Sequence, residues 1–167
     1  MTLQFPMPSW KQLAPVLFGT ILIWSIAGCR AVATSLDDLA QLAGRTGSST
    51  RTVIKQVAPA ADEAQVLRIA DESVVIFQGA DDTARAAAAS EDDVVQLRAL
   101  ATDLACDLYS AYPDGLTVDE VENIVVQNGW LAQVPSANAR EFAGGALDLV
   151  GLMQDKSVDA IDVACAL

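Results

Sequence analysis

Between Lys11 and Arg30 the chain carries no charged side chain, and residues 12–28 read QLAPVLFGTILIWSIAG. Seventeen uncharged, largely apolar residues reach the lower limit for crossing a hydrocarbon layer of about 30 Å. Packing such a run inside a small soluble domain would require apolar neighbours on every side of one helix, which small domains rarely supply. Lys11 precedes the run and small residues follow it, which is the order of a secretory signal. The sequence therefore predicts that residues 1–28 are a signal peptide or membrane anchor. Most of the chain is then expected outside the cytoplasm.

Ile26, Ala27, Gly28 and Cys29 close the apolar run. These four residues resemble the lipobox of bacterial lipoproteins, in which a peptidase cuts before a cysteine whose sulfur carries a lipid. The resemblance implies lipidation at Cys29, with small side chains at the cleavage edge and the thiol as acceptor. It departs from the pattern in one respect, because the first six residues hold no Lys or Arg. Arg30 after the cysteine, rather than the Asp that marks inner-membrane retention in some bacteria, points to the outer membrane. Two other fates stay open. Ala31, Val32 and Ala33 form an A-x-A exit that would release a soluble protein. Retention of the run would instead leave a single-pass anchor with Trp10 and Trp24 near the two interfaces.

Charge is distributed unevenly along the chain. All 22 acidic residues lie at or beyond Asp37, against 9 Lys and Arg from Arg30 onward, and the net charge is −12. Such a body repels phosphate backbones, which argues against nucleic-acid binding, and it repels anionic lipid surfaces. Membrane attachment is then expected through the lipid or the N-terminal helix. The chain has no histidine, so the commonest general base, metal ligand and activator of Ser or Cys nucleophiles is missing. Three cysteines, Cys29, Cys106 and Cys165, are too few and too far apart for a zinc or iron–sulfur site. In an oxidising compartment the two left after lipidation of Cys29 are expected to pair. Nothing basic flanks either, so a redox-active pair is not expected.

The body reads as helices. A short helix over 36–43 is expected, capped by Ser35 and stopped by Gly44, then a loop over 44–49 and two turns over 50–57 before Pro59. The next helix spans 60–78 and ends at Gly79, with Val66, Ile69, Ala70, Ser73, Val74 and Phe77 on one face. A short Ala-rich helix over 81–89 follows. Ser90 and Asp93 suggest a capping-box variant opening a helix over 91–112. Two apolar stripes on that helix, Val94–Leu97–Leu100–Ala101–Leu104–Leu108 and Val95–Ala99–Thr102–Cys106–Tyr109, mark it as the expected central helix. Thr117 and Glu120 form a capping box, with Leu116 and Val121 as its hydrophobic staple. The helix they open ends at Gly129, and Trp130 and Leu131 are expected to plug the core. Helices over 136–154 and from Ser157 complete the chain. Gly144 and Gly145 inside the first of these permit close backbone approach at about 1 kcal/mol each.

Candidate chemistry is sparse. The clusters Asp81 with Asp82, Glu91 with Asp92 and Asp93, and Asp119 with Glu120 and Glu122 fall at predicted helix starts, where the dipole favours acids. The stretch from Asp114 to Glu120 has a glycine and acids in calcium-loop fashion, but the first, third and closing ligands would be Ser110, Tyr112 and Val121, which rejects Ca²⁺. No nucleotide-binding or hydrolase signature occurs. The expected fold is an all-α bundle of about five or six helices, with a tether over 29–59 and a bundle domain over 60–167. The expected function is a non-enzymatic envelope lipoprotein, without cofactor, metal or small-molecule substrate, that binds or scaffolds an envelope partner. Alternatives are an accessory single-pass subunit of an inner-membrane complex and an immunity-type binder of a basic secreted toxin. An enzyme working with carboxylates alone would need two acids converging in a pocket.

Overall fold

A computed structural model describes residues 35–167. The apolar run over 12–28, the motif ending in Cys29 and the A-x-A exit lie outside the described residues. The described residues form seven helices and no strand: α1 (35–42), α2 (Gly47–Val57), α3 (Glu63–Ala87), α4 (Glu91–Ala111), α5 (Val118–Gln127), α6 (Ala139–Gln154) and α7 (Val158–Ala166).

Local chemistry fixes most boundaries. Gly44 (φ 65°) ends α1 in a Schellman motif, in which Arg45 N–H donates to Ala40 O (2.7 Å) and Gly44 N–H to Gln41 O (3.2 Å). Gly129 (φ 68°) ends α5 the same way, through Trp130 N–H to Val125 O (3.1 Å) and Gly129 N–H to Val126 O (3.3 Å). Thr117 and Glu120 make the reciprocal capping box expected of them. Residues 47–49, expected as loop, are the first turn of α2. Thr46 accepts from Ser49 N–H while the Ser49 hydroxyl accepts from Thr46 N–H, so a serine replaces the usual Glu or Gln.

Three further expectations fail for tertiary reasons. Gly79 does not stop a helix. The two helices expected over 60–78 and 81–89 are one 25-residue helix, α3, opened by a capping box between Asp62 and Gln65. Gly79 sits where α6 crosses, and a Cβ there would lie 3.0 Å from Leu149 Cδ1. Ser90 precedes α4 without a side-chain cap: the Asp93 N–H donates to the Ser90 carbonyl (3.2 Å), and the Asp93 carboxylate accepts from the Ser136 hydroxyl (3.2 Å). Helix α6, expected from Ser136, starts at Ala139, where Asn138 caps Arg140 and Glu141 N–H.

The central helix is α3 rather than α4. It packs against α2, α4, α6 and α7, while α6 packs against α3, α4 and α5. Val95 and Ala99, two of the five residues of the second stripe expected on α4, face solvent. The core joins Val66, Ile69, Ile76 and Phe77 of α3 to Leu97 and Leu104 of α4 and to Phe142, Leu149 and Met153 of α6. Leu36, Leu39 and Ile54, from the region expected as a tether, are buried in the same core.

Gly145 sets the spacing of α3 and α6. A Cβ there would lie 2.6 Å from Thr83 Cγ2 and 2.9 Å from Thr83 Cβ. Thr83 is buried and β-branched, and its hydroxyl is held by Gly79 O (2.9 Å), so it cannot swing away. Gly144 has nothing within 4 Å of its would-be Cβ. Gly145→Ala is therefore expected to destabilise by about 1–3 kcal/mol through overpacking. Gly144→Ala should be neutral or stabilising by up to about 1 kcal/mol. Urea unfolding of both variants checks this, and equal effects would contradict the assigned roles.

Candidate functional site

Cys106 of α4 and Cys165 of α7 form a disulfide across 59 residues, with Cα atoms 5.9 Å apart. Closing a loop of that length removes chain entropy from the unfolded state worth on the order of 4 kcal/mol. The bridge secures a nine-residue helix too short to persist alone. Other contacts share that task. Arg45 donates through Nε (3.0 Å) and an Nη (2.8 Å) to the Leu167 carbonyl. The buried Ser73 hydroxyl reaches Ala160 O at 3.1 Å. At the start of α7 the Glu72 carboxylate accepts from Ser157 N–H (2.9 Å) and from the Ser157 hydroxyl. The hydroxyl bond is the chief cause holding the Glu72 carboxyl below its ordinary pKa, with burial opposing it.

The acidic clusters are spread over the surface. Asp81 meets Arg85 (2.7 Å) and Arg98 (3.4 Å), and Arg85 also reaches Glu91 (3.4 Å), joining α3 to α4. Arg140 holds Asp119 (2.8 Å) and Glu122 (2.9 Å), joining α5 to α6. Glu120 is occupied by the Thr117 backbone and hydroxyl, which lower its pKa. The exposed pairs with Glu91, Asp119 and Glu122 each contribute at most about 1 kcal/mol, so they orient neighbouring helices more than they stabilise them, whereas Asp81 and Arg98 are half-buried. Asp103 is the exception in sign. Burial, and secondarily the charge of Asp107 one turn along α4, raise its carboxyl above the ordinary range.

Surface grooves lie between helices among the described residues. The first, about 420 Å³, follows the α3–α6 seam, with Asp82, Glu141 and Asp148 on its rim and Gly79 and Gly145 in its lining. The second, about 320 Å³, lies beside the disulfide and includes exposed Val95 with Asp103 and Cys165. The third, about 440 Å³, lies at the carboxyl-terminal ends of α4 and α5, where Tyr112 and Trp130 meet Asp107. Trp130, expected to plug the core, is only half-buried, because it also walls this groove. Among the described residues no group of three or more His, Cys, Asp or Glu is placed to hold a metal ion. The structure thus brings together Cys106 and Cys165, while Cys29 with Ile26, Ala27 and Gly28 lies outside the described residues. No family model matches the chain, and neither a curated protein nor a solved structure is found similar to it.

The Glu72 contact has a definite pH signature. A carboxyl whose pKa is lower folded than unfolded adds stability that is present above the unfolded value, about 4.3, and lost as pH falls through the folded value. Glu72→Gln mimics the protonated form, keeping an acceptor without the charge. It is expected to lower stability by about 1 kcal/mol near neutral pH. The deficit should shrink in urea unfolding as pH falls from neutral through the folded value, below which both side chains are neutral. A deficit constant across that range would contradict the role assigned to the charge.

Proposed function

We propose that the chain is a non-enzymatic envelope lipoprotein, anchored through Cys29, whose helical body binds another envelope protein. The observation that carries this reading is the pairing of Cys106 with Cys165. Of three cysteines, the one left over is the one that follows Ile26, Ala27 and Gly28 at the end of the apolar run. A disulfide also suits an oxidising compartment, the setting that an exported body would meet. The non-enzymatic part of the reading rests on the absence of histidine and on the engagement of Asp81, Asp119, Glu120 and Glu122 with arginines or a helix start. The excess of acids favours basic protein surfaces as partners. An immunity-type protein facing a basic toxin is one instance of that chemistry.

The length of the uncharged run favours a second reading, a retained single-pass anchor on an accessory subunit of an inner-membrane complex. Metabolic labelling with palmitate separates the two. The lipoprotein reading expects the wild-type chain to take up label and lose residues 1–28. Cys29→Ala should take up none and keep them. A wild-type chain that stays unlabelled and uncut would overturn the lipoprotein and support the anchor.

A further inference from the structure

We propose that the groove at the carboxyl-terminal ends of α4 and α5 docks a cationic side chain, Arg or Lys, carried on an apolar stretch of a protein partner. This deepens the reading of the body as a protein-binding module and rests on it. Leu104, Leu108 and Ile124 contribute apolar surface, Tyr112 and Trp130 offer aromatic faces, and Asp107 supplies a carboxylate. Tyr112 is 44% exposed, a large side chain left uncovered beside a half-buried indole.

The electrostatics of the groove are one-sided. Two helices end here, each presenting the negative pole of its dipole, and neither has a basic residue in its last turn. At the end of α4 the Tyr112 N–H is committed to Leu108 O, and Pro113 has no N–H to give to Tyr109. The carbonyls of Tyr109, Ser110 and Ala111 therefore lack a main-chain donor among the described residues. Asp107 forms no ion pair among the described residues, whereas Asp81, Asp119 and Glu122 each meet an arginine. Asp107 also raises the pKa of Asp103, one turn away on α4, which marks local negative charge without compensation. Among the described residues no Lys or Arg lines the groove.

A cation placed there would meet the Asp107 carboxylate beside Ser110 and Ala111, whose carbonyls have no main-chain donor among the described residues. It could also lie over the Trp130 or Tyr112 ring, an arrangement that strengthens as water is excluded. The apolar lining favours an occupant with aliphatic neighbours over a bare ion. The net charge of −12 would draw a basic partner to this face.

The test uses the full chain in phosphatidylcholine nanodiscs, whose zwitterionic surface does not itself attract a cation. The probe is a peptide with blocked ends and the order Ala, Leu, Arg, Leu, Ala, set against the same peptide with Gln for Arg. Amide and indole NMR resonances are followed during titration. The expected result is saturable movement of the Trp130 indole and of the Ser110 and Tyr112 amides with the Arg peptide. Binding should weaken about tenfold or more with the Gln peptide or in Asp107→Asn. Asp107 is exposed, so its substitution leaves the fold intact, and Asp92→Asn removes the same charge at the other end of α4 without effect. Equal binding of both peptides, equal weakening by Asp92→Asn, or no binding would overturn the proposal. None of those results touches Cys29 acylation, which tests the underlying reading separately.

Discussion

The approach of α6 to α3 at Gly145 and Thr83 is the contact on which the remaining packing depends. A Cβ at Gly145 would fall 2.6 Å from Thr83 Cγ2, so the crossing exists only because that side chain is absent. Its closeness lets Leu149 reach Gly79 and brings Phe142 and Met153 into the core shared with α4. The Asn138 N–H bond to Ala87 O, at 2.9 Å, ties the start of α6 to the end of α3. Because α5 packs on α6 and α7 on α3, a shift at the seam would carry through the bundle. Interiors this dense pass displacement on rather than absorb it.

Around that apolar frame a small number of arginines organises a large excess of acids. Arg85 holds one carboxylate of α3 and one of α4, Arg140 of α6 holds two of α5, and Glu72 is engaged by Ser157 at the start of α7. Such pairs add little stability at an exposed surface, but they fix how helix ends meet. At the far ends of α4 and α5, Asp107, the carbonyls of Ser110 and Ala111 and two aromatic rings line one groove with no Lys or Arg among the described residues. Of the 22 acids only five, Glu63, Asp81, Glu91, Asp119 and Glu122, form an ion pair among the described residues, and a cation for this groove would have to come from another molecule.

Much of this was legible in the residues. The capping box of Thr117 and Glu120, the glycines after α1 and α5, the buried face from Val66 to Phe77 and the Cys106–Cys165 pairing are local or compositional signals that the structure keeps. What failed to show was decided across the fold. Gly79 has the composition of a stop, and only the presence of Leu149 opposite reveals it as a packing glycine. Ser90 has the composition of a cap, and only Ser136 explains why Asp93 is engaged elsewhere. Helical spacing placed Val95 and Ala99 together, but spacing does not say whether a neighbour arrives, and here none does. The groove by Trp130 left one readable trace, two helix ends without Lys or Arg and a proline after Tyr112, yet their meeting depends on how α5 folds back on the bundle.

The proposed function is that of an exported, lipid-anchored body, stapled through its last helix and negative enough to prefer basic partners. Its central claim concerns the fate of three sulfurs, and the intact mass of the protein from native membranes, measured without reduction, reads all three together. The account predicts a species that begins at acylated Cys29 and lacks two hydrogens in the body, the mark of the Cys106–Cys165 bridge. A mass that retains the first 28 residues, or that carries both body thiols in reduced form, would contradict it.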